Sequence, residues 1–532
     1  MAKIFTHVPM KRPGTNVFDL SHERKLSMKM GDLVPIMLNE VVPGDKFQIN
    51  TEILMRMAPM LAPIMHRVNV YTHYFFVPTR LVWDDFEEFI TGGRLGPQPD
   101  VPGPVPPYFK RSSLAWQNLT MQGTLADYLG VPPQFKSGNP AAFPAPDNIE
   151  FSALPFRAYQ LIYNEYYRDQ NLQAPIDISK NSGYLSTAGG LDLLRSRAWE
   201  KDYFTSALPW PQRGGDVHMA LGDSATIKYD KTAGTYQHMV QSNGVAGTTG
   251  ALTAANDPNE TGNNRIEVLG TGLNLDPNST LYADLSDAKG GTINELRRAM
   301  RLQEWLEKNA RGGARYVEQI LSHFGVRSSD ARLQRPEYLG GGKTPVKISE
   351  VLQTSETDST AQGNASGHGL ATGVSHQAKR FFEEHGYIIG IMSVLPRTSY
   401  QQGMERLWYR NDRFDYYWPE FANIGEQPVL NKELFVTGDR DIDNGTFGYQ
   451  SRYAEYKTGR SSIHGEMRSN LSYWHMGRIF STAPALNNTF VTADPTTRIF
   501  PVVEGSEDHL YVHLYNNIKA RRSMPKFGVP TL

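Results

Sequence analysis

Three stretches carry residue types whose spacing could do chemistry. Gly340-Gly341-Gly342-Lys343-Thr344 has the order with which a phosphate-binding loop cradles a nucleotide. The full pattern needs a glycine five residues before the one that precedes Lys, and that place holds Glu337, whose carboxylate would repel phosphate. Pro345 to Ile348 then read as strand, where the loop requires a helix. Asp439, Asp441 and Asp443 alternate as the ligands of a calcium loop do. The turn glycine, Gly445, comes one place late, and Gln450 takes the place of the bidentate glutamate, so a solvated Asp/Asn/Gly turn is the competing reading. His509 and His513 have the spacing of a zinc-binding helix, but on a strand they stand about 13 Å apart. Leu510-Tyr511-Val512 between them also lacks the catalytic glutamate, which leaves surface or interface histidines. No Gly-x-Ser-x-Gly elbow occurs, and nothing singles out a glycosidase pair among the carboxylates. The expectation is no enzyme, no metal site and no cofactor.

Charge offers a different chemistry at the end of the chain. After Asp508 no acidic residue follows, while Lys519, Arg521, Arg522 and Lys526 do. Cations without a nearby acid suit phosphate oxygens, and the flanking Tyr515 and Phe527 could stack on bases, so these four are candidate DNA-binding residues. A solvated tail and a salt-bridge strip between subunits are the rival readings. At the other end, residues 1–31 hold Lys3, Lys11, Arg12, Arg24, Lys25 and Lys29 against Asp19 and Glu23, with little periodicity. They read as an extended basic arm or a frayed terminus.

The elements that must position such residues are mostly strands. Val68, Val70, Thr72, Tyr74 and Phe76 alternate with Arg67, Asn69, Tyr71, His73 and Phe75, the period of two of a sheet. Gly386 to Leu395 is apolar on both faces, as a central strand should be, and Leu510, Val512 and Leu514 are expected to face inward while His509, Tyr511, His513 and Tyr515 face out. Helices are expected over Leu81–Ile90, over Leu154–Arg168 with Phe156, Tyr159, Tyr163 and Tyr166 on one face, and from a capping box at Thr292–Glu295 to Gly312-Gly313. Another spans Ala314–Phe324 and stops at Gly325. Six of the eleven residues from Pro97 to Pro107 are proline, which gives a stiff extended connection. Residues 231–290 hold 8 Gly, 8 Thr and 7 Asn but only two aromatics, Tyr236 and Tyr282. Such a stretch buries little of itself and reads as an exposed excursion, whose surface residues would include Tyr236, Asn243, Asn263, Asn264 and Tyr282. Thr354 to His376 reads as a second low-complexity loop. Many strands, few helices and long polar loops suggest a mainly β chain, a barrel or jelly roll with elaborate insertions.

Bulk composition narrows the class. The 54 Lys and Arg nearly balance 55 Asp and Glu, so no global field marks nucleic acid or membrane as a partner, and any such contact is local. Cysteine is absent, which removes disulfides, thiolate nucleophiles and zinc–thiolate sites. Nine of the 18 methionines lie within the first 65 residues and read as adaptable core filling. The start lacks a secretory signal's apolar stretch, and no run approaches the roughly 18 apolar residues of a spanning helix, so an unexported chain without membrane insertion is expected.

Three passages resemble a known family. They are Ile4-Phe5-Thr6-His7-Val8-Pro9 with Asp19-Leu20-Ser21-His22, the block Leu306–Leu321 followed by His323–Tyr338, and the ending Tyr511–Phe527. All are similar to the major capsid protein of the gokushoviruses, a branch of the Microviridae, and the likeness runs through nearly the whole chain outside 231–290. The resemblance implies an eight-stranded viral jelly roll with long inserted loops, sixty copies in a T=1 shell around circular single-stranded DNA, and a three-fold protrusion for which 231–290 is the matching place. It also implies assembly in a bacterial cytoplasm and a receptor on the host surface. The organisation expected is an arm at 1–31, jelly roll at 32–230, insertion at 231–290, and a helical connection, the remaining strands and basic tail at 291–532. A carbohydrate-binding or carbohydrate-active jelly roll is the alternative, because the aromatic segments 408–418 and 449–456 could stack on sugars.

Overall fold

A computed structural model describes residues 14–93, 103–110, 122–132, 150–186, 189–215, 217, 226–229, 239–241, 254–256, 264–266, 273–275, 281–284, 293–313, 315–352, 365–503 and 507–527. In chain order the strands begin with β1 (Asn16–Asp19), β2 (His22–Met28), β3 (Val34–Val41), β4 (Lys46–Met57) and β5 (Val68–Pro78). Short strands follow: β6 (Tyr108–Lys110), β7 (Glu150–Ser152), β8 (Thr226–Tyr229), β9 (Met239–Gln241), β10 (Ala254–Asn256), β11 (Asn264–Ile266), β12 (Leu273–Leu275) and β13 (Leu281–Asp284). The remainder are β14 (Glu337–Pro345), β15 (Lys347–Leu352), β16 (Ala365–Val374), β17 (Ala378–Phe381), β18 (Gly386–Pro396), β19 (Glu426–Leu430), β20 (Thr446–Ser451) and β21 (Leu510–Arg522). The helices used below are α1 (Phe86–Thr91), α2 (Leu154–Ile162), α3 (Ile293–Gly312), α4 (Tyr316–Phe324) and α5 (Arg440–Asp443).

The chain divides into two compact units, residues 1–213 with 307–532 and residues 214–306. In the first, one sheet runs β1–β21–β4–β16–β15, with β2 also on β21 and β17 also on β4. A second runs β14–β5–β18–β3, and every pairing in both sheets is antiparallel. Alternation explains how they pack. Along β4, Phe47, Ile49, Ile53, Met55 and Met57 are buried while their neighbours reach out; along β21, Leu510, Val512, Leu514, Ile518 and Ala520 do the same. These side chains share one apolar core with Val34 and Ile36 of β3, Tyr74 and Phe76 of β5 and Ile388, Met392 and Val394 of β18. Fully burying each such side chain contributes about 1.5–3 kcal/mol. The other face of the smaller sheet is covered too: Phe75, Val77, Ile389 and Ile391 pack with Phe156, Tyr159 and Ile162 of α2. That second cover is why β5 and β18 read as apolar on both faces.

A polar cluster bridges the two sheets inside the core. The Tyr74 hydroxyl lies 2.6 Å from both Thr51 Oγ1 and Ser375 Oγ, and Thr51 Oγ1 donates to Asn516 Oδ1 at 2.8 Å. Asn516 Nδ2 donates to the Ile36 carbonyl at 3.0 Å. Polar groups so deeply buried need partners at fixed places, so the cluster ties the register of β21 and β4 to that of β5 and β3.

The second unit contains three antiparallel pairs nested one inside the next. β8 lies on β13, β9 on β12 and β10 on β11, so the chain runs out through one member of each pair and back through the other.

Local differences from the sequence reading have local causes. The helix expected over Leu81–Ile90 is broken into a 3-10 turn at Thr79–Leu81 and α1, because Val82 and Trp83 between them are drawn fully inside, the Trp83 indole donating to Ser182. α1 stops at Gly92 in the left-handed region. α2 continues as a π-helical stretch over Tyr163–Tyr167 up to Arg168. α3 runs to Gly312, and α4 begins at Tyr316 and ends at Gly325 with φ +69°; the expected cap at Thr292 lies outside the described residues. The stretch Thr354–His376, expected as a loop, contains the ten-residue strand β16. The reading of 1–31 as an arm gives way over residues 16–28 to β1 and β2, both paired with β21 of the same sheet, while residues 1–13 lie outside the description. Mainly antiparallel β-structure with few helices is the result. Among the described residues no helix is long and apolar enough to cross a membrane.

Candidate nucleic-acid interface

The basic segment expected as a tail is the second half of β21. Its outward residues, Tyr511, His513, Tyr515, Asn517, Lys519 and Arg521, alternate with the core residues already described. Lys519 and Arg521 therefore share the outer face of the larger sheet. Arg522 turns the other way. It pairs with the buried Asp45 at 3.1 Å, donates to the Glu40 carbonyl at 2.6 Å and lies over the Phe47 ring. Lys526 follows the strand in the next turn, 5.9 Å from the centre of the Phe527 ring.

Register brings in cations that lie far away in sequence. Arg521 stands opposite Lys46 of β4, and Lys519 opposite Gln48, which in turn faces Lys379 of β17. On its other side Arg521 faces Val17 and Lys519 faces Asp19. Like charges directly opposite on neighbouring strands repel, so the Lys46–Arg521 pair costs stability unless an anion lies over it. Among the described residues none of Lys46, Lys379, Lys519 and Arg521 forms an ion pair, whereas the adjacent Arg380 and Arg522 do, with Glu337 and Asp45. Arg521 donates to Thr15 Oγ1, at 3.1 and 3.3 Å. Phe381, opposite Lys46 on β17, offers an exposed ring at the edge of the cluster. Asp19 is the acid at this end. Its carboxyl is held below the usual carboxylate range by hydrogen bonds from Ser21 and, more weakly, by Lys519.

Further along the same face lie the exposed Glu52 and Arg56 of β4 and one carboxylate with cationic partners. Glu23 accepts from Lys25 at 3.3 Å and contacts His513 at 3.2 Å, and these two hold its carboxyl low, His513 first. The basic cluster is thus confined to the end of the sheet where β21, β4 and β17 meet. Lys46 and Lys379 escape a reading of one segment at a time. The alternation of β4 places Lys46 on an outer face, but which strand lies beside it is not written locally.

The other candidate chemistries resolve into structural roles. Gly340–Thr344 lies within β14, and a Cβ on Gly341 would stand 2.2 Å from the Thr72 carbonyl, so glycine there serves close strand approach. Asp439 caps α5 by accepting from the Asp441 and Ile442 amides, and Asp443 accepts from the Thr437 and Gly438 amides. Among the described residues no group of three or more His, Cys, Asp or Glu side chains is placed to hold a metal ion. His513 is exposed as expected, but His509 is buried, stacked on Phe500 with its Nε2 2.7 Å from the Val502 carbonyl. It precedes β21 and departs from that strand's alternation, turning inward beside Leu510 where Tyr511 and His513 turn out.

A cavity of about 840 Å³ is lined by His73, Phe75, Tyr167, Arg197, Trp199 and Glu200, among others. Burial, and then Arg197, push the His73 imidazole down to about 4, so it is neutral near pH 7. The carboxylates there are each held by a cation: Glu200 by Lys343 and Arg397, Asp169 by Lys201 and Glu318 by Arg315. That leaves none free to act as a base. Of the insertion residues singled out in the sequence, Asn264 opens β11 opposite Asn256 and Tyr282 lies in β13 opposite Lys228. Tyr236, Asn243 and Asn263 lie outside the described residues.

Comparison with known proteins points the same way over the whole chain. The model of a family described as capsid protein (F protein) matches residues 6–532. The chain is 39% identical to capsid protein VP1 of Bdellovibrio phage phiMH2K, over 99% of its own length and 97% of that protein. It is 35% identical to capsid protein VP1 of Chlamydia phage 1, over 100% and 98%, and 33% identical to capsid protein VP1 of Spiroplasma virus 4, over 99% and 96%.

Proposed function

This chain belongs to the capsid protein (F protein) family, and from that premise we propose that sixty copies of it close a T=1 shell around a circular single-stranded DNA genome. It is a major capsid protein and a virion component, not an enzyme, and it assembles with other copies of itself. The finer parts of the proposal rest on particular observations. An eight-stranded jelly roll is supported by pairing order: β2–β21–β4–β16 on one side and β3–β18–β5–β14 on the other make two four-stranded antiparallel sheets over one core. β1 and β17 extend the first and fourth of those strands, and β15 adds an edge. Residues 79–336 and 397–509 are then insertions between jelly-roll strands, and 214–306 falls inside the first.

The observation that carries the genome-holding part is the register that sets Lys46 against Arg521 beside Lys519 and Lys379. A cationic face with adjacent rings suits sequence-independent contact with phosphates and bases, as a container for a whole genome requires. In this reading the outer face of the larger sheet lines the particle interior. The nested pairs of the second unit form a protrusion that contacts the host surface, with Tyr236, Asn243, Asn263, Asn264 and Tyr282 as the residues to test. Assembly takes place in the bacterial cytoplasm. Native mass measurement and electron microscopy of purified particles test the shell: sixty chains of 59.7 kDa predict about 3.6 MDa of protein in a closed icosahedron. A ring or a free monomer as the sole species would refute it.

A further inference from the structure

Residues 411–420 are exposed without a break, yet they carry four aromatic side chains. Trp408, just before them, is 73% exposed, and Phe414, Tyr416, Tyr417, Trp418 and Tyr456 are each between 43% and 53% exposed. The rings are joined to one another. Tyr417 lies 6.2 Å from Tyr456, the Arg410 guanidinium lies over both Tyr456 and Tyr416, and the Trp418 indole donates to the Arg413 carbonyl beside Phe414. Half-exposed rings of this number amount to roughly 600 Å² of surface, if each aromatic side chain carries about 200 Å². One partner in an interface of ordinary size contributes about 800 Å².

The segment is held rigidly in this exposed form. Asp415 accepts from the Asn411 and Asp412 amides, and Arg452 donates to the Phe414 carbonyl. The buried Tyr453 hydroxyl donates to the Tyr416 carbonyl and accepts from the Trp418 amide. Tyr453 sits at φ +62°, a left-handed conformation that is unfavourable for a bulky residue, and from there its hydroxyl reaches the segment. Rings fixed in water on a rigid support are preorganised for burial against a partner. Charge on the ledge is balanced, Arg410 and Arg413 against Asp412 and Asp415, which offers a phosphate backbone no net attraction.

We propose that the aromatic ledge of residues 408–418, completed by Tyr456, is a contact surface for a second copy of this chain. The proposal rests on the capsid reading, which supplies the copies. Tyr417→Glu places a charge at the centre of the rings while leaving the backbone hydrogen bonds intact. The expected result is a subunit with wild-type circular dichroism and thermal midpoint that needs at least tenfold more protein to form particles. Assembly at the wild-type concentration would overturn the proposal. Normal assembly combined with loss of binding to immobilised oligosaccharides would overturn it in favour of a sugar site. In case that variant misfolds, a second arm uses a photo-crosslinking benzophenone amino acid in place of Tyr416 within otherwise wild-type particles. Chain-to-chain crosslinks supporting the interface are expected, and crosslinks confined to single chains, or none, would overturn it. If the wild-type chain forms no particles at all, the capsid reading itself has failed, an outcome distinct from the others.

Discussion

Lys46 and Arg521 face each other across β4 and β21, and among the described residues no acid forms an ion pair with either. Replacing both with glutamine should weaken binding of a single-stranded oligonucleotide, measured by fluorescence anisotropy at several salt concentrations. Losing two phosphate contacts lowers the slope of log affinity against log salt by about 1.4. The DNA-free subunit should meanwhile gain a few tenths of a kcal/mol, because the like-charge pair is gone. An unchanged slope would remove these residues from the interface. Asp32 gives a prediction of a different kind. Burial pushes its carboxyl up to about 6, against the opposing hydrogen bond from Ser196. The unfolded carboxyl titrates near 3.8, so the stability this group contributes at low pH is lost as pH rises through about 6. Asp32→Asn should therefore stabilise the subunit by about 3 kcal/mol near neutral pH and change little near pH 4, read by denaturant unfolding. At this scale the sequence displays cations that follow one another along a single strand, as Lys519 and Arg521 do. It was silent on Lys46 and Lys379, because adjacency across strands leaves no local trace.

Among the elements, those whose own periodicity decides them were legible: β5, β18 and β21 all declare their faces. β16 does not. Its residues, Ala365 to Val374, include three glycines and read as a loop, yet those glycines are what let the strand lie where it does. A Cβ on Gly367 would stand 2.4 Å from the Ala62 carbonyl, a backbone atom that cannot yield. One on Gly369 would meet the Met57 thioether at 2.5 Å, a flexible neighbour. Gly367→Ala should accordingly cost about 1–3 kcal/mol and Gly369→Ala distinctly less, measured by urea unfolding of the subunit. Equal costs would mean that the fit against residues 62 and 63 is not what selects glycine. Such a strand is made by its neighbours, and sequence reasoning that weighs one segment at a time cannot find it.

For the molecule as a whole, the break in composition at 231–290 falls within the compact unit 214–306, whose flanks have ordinary composition. The nested pairing suggests a clean excision. Replacing 239–275 with a short Gly/Ser linker keeps β8 on β13 and should leave particle formation intact while reducing adsorption to host cells. Collapse of assembly would make the insertion structural. The resemblance to gokushovirus capsid proteins was legible because blocks such as 306–338 are specific in themselves. The pairing order of the two sheets was not, since strands of one sheet come from opposite ends of the chain.

That last property has a consequence in time. Thr51 and Asn516, hydrogen-bonded in the core, are 465 residues apart, and β21 lies between β2 and β4 in the finished sheet. A ribosome adding roughly 5–20 residues per second needs on the order of half a minute or more to travel between them. Throughout that interval β4 keeps an open edge, the kind of edge that recruits foreign strands and leads to aggregation. The sheet is completed by β21, which is translated long after β4. A chain released early, anywhere before β21, therefore lacks the strand that closes its own core and cannot enter a shell as a nearly correct subunit. Translation through β21 becomes a condition for incorporation, set by topology.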